Sequence, residues 1–314
     1  MTGRVIVPSS GGKDSTYQVL TLMEMGADVT VVTASTCMLT VVGRKNIDNL
    51  ARYAKTIEVT PNRTVRRKLN RLGFNLVSDA SWPQHASIWA IPFQTAVDLN
   101  IPLVIWGENS QDQYGGPIGY ESAKQMTRRW VAELGGLNGL RANDFVGMEG
   151  ITERDMRPYS LPADSEIERV GVEAHFLGAY IPWDSHRNAS VAIAAGMQTM
   201  LPCPANWWDF ENLDCMVTAL HDIGMWRKFG YGRGCSQISV DVRAGRVSRE
   251  DAMAWVRDHD GIFPDTYMGE SIWSVLDYLE IKRGDFYRTL DAFTDWQIFR
   301  RVVDDESAEP MLIV

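Results

Sequence analysis

The chain has 314 residues, with 31 Lys and Arg against 40 Asp and Glu, which gives a formal net charge of -9 at pH 7. This acidity argues against a dominant surface for the phosphate backbone of nucleic acids, although a local basic groove is compatible with it. Hydrophobic residues make up 45% of the chain and charged residues 23%, a composition that excludes a disordered protein. Its apolar runs are the length of strands, so we expect no membrane span.

The start of the sequence and the cysteines indicate the compartment. The first residues lead into Val5–Val7, an apolar run too short for the core of a signal peptide. The cysteines are widely spaced and form no C-x-x-C pair: Cys37, Cys203, Cys215 and Cys235. This pattern favours reduced thiols over disulfides or a zinc site, and we expect a cytoplasmic protein.

In the first third of the chain, short β-branched runs alternate with helical patterns. This alternation is typical of a parallel sheet with crossover helices, and therefore of an α/β fold. The predicted strands are Val5–Val7, Asp28–Thr33, Ile57–Val59 and Leu103–Trp106, and the predicted helices are Tyr17–Met25, Asn46–Lys55, Thr64–Leu72 and Trp89–Leu99. Pro92 must lie in the first turn of its helix or kink it. The basic stretch at 63–71 predicts a solvated helix face rather than a guide for RNA.

The pattern changes beyond Gly107. Gln111–Tyr120 is predicted to be a loop, because Gly115, Gly116 and Pro117 interrupt regular structure. The later predictions are helices at Ala123–Leu134 and Asp164–Val172, a strand at Phe176–Pro182, helices at Leu213–Lys228, Gln237–Ala244, Ser248–Asp258, Glu270–Glu280 and Lys282–Thr294, and a frayed tail after Asp304. We therefore expect a domain at 1–200, with a loop-rich insertion at about 111–175, and a helical region at 201–314 that completes the substrate site.

The strongest chemical signal is Ser10-Gly11-Gly12-Lys13-Asp14-Ser15, which follows the first predicted strand and opens the first predicted helix. Two glycines allow several backbone N–H groups to approach one anion. The helix start adds about half a positive charge, and Lys13 adds a full one. The segment therefore predicts an anion site, with a glycine turn that binds nothing as the alternative.

The motif S-G-G-K-D-S resembles the PP-loop of the ATP pyrophosphatase superfamily. Members of that superfamily split ATP between the α and β phosphates and adenylate an oxygen atom of their substrate. The resemblance implies an adenine nucleotide α-hydrolase-like fold of the HUP type, with ATP and Mg²⁺ as cofactors. It implies catalytic roles for Lys13, Asp14 and Ser15, binding of pyrophosphate by residues 10–15, and a place for Thr33 beside the adenosine.

A second polar segment follows the strand Leu103–Trp106 and runs through Gly107, Glu108, Asn109 and Asp112. Carboxyl ends of parallel strands share one edge of a sheet, which is where α/β proteins bind ligands. Carboxylate and amide oxygens suit Mg²⁺ that arrives with phosphates. We therefore expect Glu108 and Asp112 to ligate the metal, Asn109 to offer a further oxygen or to contact substrate, and Gly107 to border the nucleotide. The resemblance to the PP-loop implies that Asp14 lies near the metal as a ligand or caps the loop. A polar loop that only caps the next helix is the alternative.

A narrower resemblance covers most of the chain and connects it with the N-acetyl sugar amidotransferase family of surface-glycan and lipopolysaccharide biosynthesis. The segments that carry it, in the same order as in that family, are Val42–Leu50, Trp82–His85, Ile105–Gln111, Phe176–Asp184, and His221-Asp222 leading into Lys228–Arg233. Longer members have a cysteine-rich segment ahead of the loop. This chain begins shortly before its first strand, so we expect any function of those cysteines to be absent.

The family converts the acetamido group of a nucleotide sugar to an acetamidino group, and this implies the reaction here. Attack of the amide oxygen on the α-phosphate would give an O-adenylated imidate and pyrophosphate, and ammonia would then displace AMP. Position 2 is Thr and no G-x-C-x-G segment surrounds a cysteine, so the sequence predicts no glutaminase of its own. Ammonia must therefore come from solution or from a separate glutaminase partner, and the other expected partner is a small-molecule acceptor. The sequence leaves the oligomeric state open.

Other candidate substrate contacts come from single residues with an ordinary alternative. His85 is a candidate for substrate binding or for a structural hydrogen bond. Trp183 and Asp184 suit stacking and hydroxyl binding of a sugar. Tyr231 and Arg233 lie in a G-Y-G-R-G segment, whose glycines permit backbone approach and whose arginine offers a planar donor fork to the nucleotide. Ordinary packing is the alternative for each.

Two competing functions remain open. Thiolation of tRNA and reduction of an activated sulfate also use S-G-G-x-D-S loops, but thiolation needs cooperating cysteines and the reductases carry a nucleophilic cysteine near the C-terminus. The spacing of Cys203, Cys215 and Cys235 offers neither signature. A non-catalytic nucleotide-binding subunit is the other alternative. The intact Lys13, Asp14 and Ser15 argue against it.

Overall fold

The structure is a computed structural model that describes residues 3–107, 109–117, 119, 123–201, 203–300 and 311–312. The chain divides into two compact units, and the segments that form them alternate along the sequence. The first unit holds Met1–Leu69, Trp82–Leu201 and Phe210–Met216, and the second holds Asn70–Ser81, Pro202–Asp209 and Val217–Val314.

The first unit is built around a sheet whose strands, in the described part of the chain, are β1 (Arg4–Pro8), β2 (Asp28–Ala34), β3 (Lys55–Val59), β4 (Leu103–Trp106) and β5 (Glu173–Phe176). All neighbouring strands are parallel, and their spatial order is β3-β2-β1-β4-β5. The predicted α/β fold class is confirmed. Because the order reverses between β1 and β4, the carboxyl ends of these two strands border the crevice in which such sheets bind ligands.

Helices and short 3-10 turns connect and flank the strands. The helices that begin in this unit are α1 (Lys13–Glu24), α2 (Val41–Leu50), α3 (Arg63–Val77), α4 (Trp82–Asp98), α5 (Ser110–Tyr114), α6 (Arg128–Leu134), α7 (Asp164–Val170) and α8 (Ser185–Ala194). Val19 and Leu22 of α1 pack on Val5, Val7 and Val31 of the sheet in a buried apolar cluster. This packing fixes the start of α1 at the carboxyl edge of β1.

The second unit is mostly helical, as the sequence predicts. Its helices are α9 (Thr218–Phe229), α10 (Arg233–Arg243), α11 (Arg249–His259), α12 (Ile272–Tyr278) and α13 (Arg283–Phe293), and its two-residue strands are β6 (Thr266–Tyr267), β7 (Glu270–Ser271), β8 (Phe299–Arg300) and β9 (Met311–Leu312). The rings of Phe74 and Phe286 stack in its interior with centroids 5.4 Å apart. Ser248 accepts a hydrogen bond from the N–H of Asp251 at 3.1 Å and caps α11.

Several boundaries differ from the sequence predictions because side-chain caps set them. Thr40 accepts from the N–H of Gly43 at 2.8 Å, so α2 begins five residues before the predicted Asn46 and ends before Lys55, which opens β3. Asn109 accepts from the N–H of Gln111 at 3.1 Å and starts α5 inside the predicted loop.

Other elements were displaced or missed. The predicted strand at 176–182 is wrong, since β5 ends at Phe176, where a 3-10 turn begins. Helix α8 had not been predicted; Asp184 caps it by accepting from the N–H of Arg187 at 2.8 Å. The tail after Asp304 lies almost wholly outside the described residues.

Helix α4 begins at Trp82, earlier than the predicted Trp89, and therefore carries Pro92 in its interior rather than in its first turn. Pro83 lies in that first turn, where the missing N–H costs no helical bond. Among the helices of the described residues, none is long and apolar enough to cross a membrane.

Candidate active site

The loop between β1 and α1 is held by its own serines and by the backbone of α2. Gly11 has φ +82°, and a Cβ atom there would lie 2.7 Å from the backbone N of Ile47, so only glycine fits. The N–H of Gly11 donates to Ser9 Oγ at 2.9 Å, and Ser9 Oγ donates to Ser15 Oγ at 2.7 Å. The conformation of the loop is therefore determined before any ligand binds.

The first turn of helix α1 has no side-chain cap. Its N-cap is Gly12, which has no side chain to accept from the first N–H groups. Unsatisfied N–H groups and the helix dipole together favour negative charge at such an end. Ser10 is exposed beside it. The predicted residues Ser10, Gly11, Gly12 and Ser15 thus surround one helix start, an arrangement that suits phosphate oxygens.

Lys13 is buried, with 4% of its surface exposed, and its ammonium lies between two carboxylates. Lys13 Nζ contacts Asp14 Oδ2 and lies 2.6 Å from Glu211 Oε1. It is also 5.9 Å from the centroid of the Phe210 ring. Glu211 is not predicted from the sequence, because no motif or periodicity connects it with a loop so far away along the chain.

Asp14 joins the loop to the end of β4. Its Oδ1 accepts from Asn188 Nδ2 of α8 at 3.0 Å. A Cβ atom on Gly107 would lie 3.5 Å from Asp14 Cβ and 3.1 Å from Trp183 Cζ2. The fold thus brings together the predicted Asp14, Gly107 and Trp183 at the carboxyl edge of the sheet. Trp183 also meets the ring of Tyr17 edge-on at 5.6 Å.

The remaining candidates of this unit have different surroundings. Thr33 is 2% exposed, and its buried Oγ1 has no hydrogen-bond partner among the described residues. Asn109 Nδ2 donates to the carbonyl of Ala123 at 3.2 Å, in addition to its role as the cap of α5. His85 Nδ1 lies 3.2 Å from the carbonyl oxygen of Gly136. Glu108 and the side chain of Asp112 lie outside what the structure describes.

The basic helix α3 departs from the prediction of a solvated face at one position. Arg66 is only 1% exposed, and its Nη2 donates to the carbonyl of Ser35 at 3.2 Å and to Ser87 Oγ at 2.9 Å. Its guanidinium lies 5.1 Å from the ring centroid of Tyr159. Burial raises the pKa of the neighbouring Cys37 thiol, and the charge of Arg66 opposes that rise. Arg66 thus fixes the segment that follows β2.

The segment Phe210–Met216 carries Glu211 into the first unit by backbone contacts. The N–H of Thr40 donates to the carbonyl of Asp214 at 3.0 Å, and the N–H of Met216 donates to the carbonyl of Met38 at 3.0 Å. A Cβ atom on Gly43 of α2 would lie 2.6 Å from the Cα of Asp214. Burial raises the pKa of the Asp214 carboxyl to about 6.

In the second unit, the predicted Arg233 opens α10 and pairs with Asp222, Nη2 to Oδ1 at 3.0 Å. The start of α10 is occupied by Asp260, which accepts from the N–H of Gly232 at 2.6 Å and from that of Cys235 at 3.3 Å. Burial raises the pKa of Asp260. Tyr231 is 44% exposed.

The glycines around Arg233 have packing roles. A Cβ atom on Gly230 would lie 2.7 Å from Ile298 Cδ1, and one on Gly234 would lie 2.4 Å from Trp255 Cζ3. On Gly232 it would lie 2.6 Å from an oxygen of Asp260. These neighbours account for the three glycines without a ligand.

Comparison with known proteins gives two similarities. Residues 206–307 match the model of a family described as LPS biosynthesis protein WbpG-like, C-terminal domain. A crystal structure described as a predicted subunit of tRNA methyltransferase from Methanocaldococcus jannaschii is similar with 14% identity and a TM-score of 0.26, over 58% of this chain and 93% of that one. No curated protein sequence matches the chain.

Proposed function

We propose that this protein is an ATP-dependent enzyme that adenylates a carbonyl oxygen of a small substrate, releases pyrophosphate and lets ammonia displace AMP. The observation that carries the proposal is the position of Lys13. It is a buried lysine on an S-G-G-K-D-S loop, at the carboxyl end of β1 and next to the point where the strand order reverses. Phosphate groups bind at such points in α/β proteins.

The loop residues supply binding and charge rather than covalent catalysis. The N–H groups at the start of α1 and the hydroxyls of Ser10 and Ser15 would hold the departing pyrophosphate, and Lys13 would stabilise the charge that develops on it. Thr33, near the end of β2, is the proposed contact to the adenosine, and its buried hydroxyl has no hydrogen-bond partner among the described residues. Fixed donors of this kind need no rearrangement during the reaction.

Mg²⁺ bound with the nucleotide would supply further neutralisation of the phosphates. The hard carboxylate oxygens of Asp14 suit this ion, and Asp14 is held beside the loop by Asn188. Glu108 and Asp112 stay as proposed further ligands.

The proposed acceptor is the acetamido group of a nucleotide sugar. An amide carbonyl is a poor electrophile, so its oxygen must become a leaving group before ammonia can attack. The match of residues 206–307 to a family named for LPS biosynthesis supports a glycan precursor as the substrate class. Trp183, Asp184, His85 and Asn109 are the proposed contacts to this substrate. Tyr231 joins them, and Arg233 is a proposed contact to the nucleotide.

Product analysis tests the proposal. The protein is incubated with ATP, Mg²⁺, ammonium and a panel of UDP-linked acetamido sugars, after which nucleotides and sugar masses are determined. We expect AMP, pyrophosphate and a sugar about 1 Da lighter, since C=O becomes C=NH in an adenylation followed by amination. AMP without a changed sugar would reject these acceptors. ADP, or no cleavage at all, would reject the pyrophosphatase assignment itself.

A further inference from the structure

The ammonium of Lys13 is neutralised by a residue that the loop motif does not contain. Glu211 Oε1 lies 2.6 Å from Lys13 Nζ, and the Glu211 side chain is only 12% exposed. Tyr114 of α5 donates to the same carboxylate oxygen at 3.4 Å. Glu211 is therefore a fixed, largely desolvated neighbour of the lysine that the proposed function assigns to phosphate binding.

The backbone next to Glu211 is anchored to the start of α2. On its C-terminal side, Thr40 Oγ1 donates to the carbonyl of Leu213, and Cys215 forms a β-bridge with Leu39. These contacts anchor the backbone of the segment to the residues that begin α2, so the Glu211 carboxylate stays within side-chain reach of the loop. A phosphate that takes Lys13 must do so in the presence of this carboxylate.

The charges around Lys13 distinguish a bare polyphosphate from one that carries a divalent cation. One ammonium faces the carboxylates of Asp14 and Glu211, so the three groups carry a net charge of about -1 when all are ionised. Charges a few ångströms apart interact much more strongly in such a poorly solvated site than they do in bulk water. A bare polyphosphate therefore meets repulsion from Glu211 and Asp14 as well as attraction from Lys13. A divalent cation that enters with the phosphates would replace the charge that Lys13 gives up.

We propose that Glu211 couples the binding of polyphosphate at Lys13 to the entry of a divalent cation. In the absence of both, Lys13 lies between the two carboxylates. With a divalent cation bound among the phosphates, the charges of Glu211 and Asp14 would be neutralised, and Lys13 would turn its charge to the anion. Glu211 is thus a positioning residue that makes the loop selective for metal-bound polyphosphate. This inference rests on the proposed function of the loop.

Calorimetry with inorganic pyrophosphate tests the coupling without any turnover. The dissociation constant is measured with Mg²⁺ and with EDTA for the wild type, Glu211→Gln, Glu211→Asp and the control Glu58→Gln. Glu58 pairs with Arg44 in the same unit at 2.7 Å, so its substitution removes an equal charge away from the loop. Thermal unfolding establishes that each variant is folded.

We expect the wild type to bind pyrophosphate much more tightly with Mg²⁺ than without it. In Glu211→Gln the metal-free affinity should rise about tenfold, and the ratio of the two affinities should fall at least tenfold, since a neutral amide neither repels the anion nor ligates the cation well. Glu211→Asp should retain most of the metal dependence, and Glu58→Gln should retain all of it.

Two results would overturn the coupling. If the ratio in Glu211→Gln equals that of the wild type, or if both affinities fall by the same factor, Glu211 only stabilises the loop. Failure of the proposed function gives a different signature. In that case the wild type would not bind pyrophosphate under either condition, or Lys13→Ala would bind it as well as the wild type does.

Discussion

Two glycine-rich segments of this molecule each carry a cationic side chain, yet their glycines have different surroundings. In residues 10–15, Gly11 lies directly against the backbone of α2. The start of α1 lies at the edge of the sheet and has no side-chain cap. In residues 230–234 the glycines make room for side chains of their own unit. The two segments look alike in sequence and differ in what fills the space around them.

The helix starts show the difference most clearly. The first N–H groups of α10 already have an anion, because Asp260 accepts from Gly232 and Cys235. Helix α1 begins at a glycine without a side chain, at a point where the strand order reverses. Glycines beside a cation thus do not by themselves predict a ligand. The two segments are distinguished by the position of the turn in the sheet and by whether a carboxylate already accepts from the first N–H groups of the helix.

The sharpest test of this contrast is Lys13→Ala. Loss of one preorganised charge at a reacting group typically costs about 10²–10³ in rate, and we expect formation of AMP and pyrophosphate to fall by that factor. The exposed Lys45 of α2 provides a control, since Lys45→Ala removes the same charge and should leave the rate unchanged. Turnover that survives Lys13→Ala would remove the distinction between the two segments.

A second test concerns Asp214, which packs against a glycine of the first unit. Gly43 makes room for Asp214, whose pKa of about 6 lies above the value of about 3.9 in an unfolded chain. The native state therefore binds this proton more tightly, and ionisation of Asp214 destabilises it as the pH rises from about 4 to about 6.

We expect Asp214→Asn to raise the free energy of unfolding by up to about 3 kcal/mol above pH 7 and to change little below pH 4. Thermal melts across that range measure the effect. Asp48→Asn, at a carboxylate that is 64% exposed, is the control. Equal effects at both ends of the range would show that burial of Asp214 is not what matters.

Gly234→Ala tests the packing interpretation in the second unit. The new Cβ atom would lie 2.4 Å from Trp255 Cζ3 and 2.6 Å from the carbonyl oxygen of Ala205, so the backbone must shift. Such overpacking typically costs about 1–3 kcal/mol, visible as a lower melting temperature. Gly284→Ala in α13 is the matched control. Apart from its own helix backbone, the described residues would offer its Cβ one neighbour, Arg288 Nη1 at 3.5 Å, so it should melt at the same temperature or higher. A Gly234→Ala protein that melts normally but loses nucleotide turnover would instead favour a binding role.

The smallest expected effect, that of Ser248→Ala, provides a reference for the cost of Gly234→Ala. Ser248→Ala removes the cap of α11 and should lower the free energy of unfolding by about 1 kcal/mol. Denaturant titration measures it, with Ser239→Ala as a control within α10. If Gly234→Ala costs less than this cap, the close packing around Trp255 has little energetic weight.

The sequence predicted those parts of the molecule that local patterns control. Apolar β-branched runs identified β1, β2 and β4, and the loop residues were found from their motif, since both signals lie within a few consecutive residues. Glu211 could not be found in this way, because it reaches Lys13 through backbone contacts between residues 210–216 and the start of α2.

Arg66 was misjudged for a related reason. A basic helix face is normally solvated, but here the carbonyl of Ser35, the hydroxyl of Ser87 and the ring of Tyr159 surround one of its arginines. Those partners come from three separate parts of the chain. Burial of a polar group with distant partners leaves no periodic signal in the sequence.

The segment Phe210–Met216 also has a consequence for how the protein is made. It belongs to the first unit, although the residues on both sides of it belong to the second. During synthesis the first unit is complete only when residue 216 has been added, although its sheet strands are made much earlier. The contact between Glu211 and Lys13 therefore forms late. A gene fusion that exchanged residues 206–307 as a module would exchange this carboxylate too. In any such exchange, the segment that carries Glu211 must suit the loop that carries Lys13.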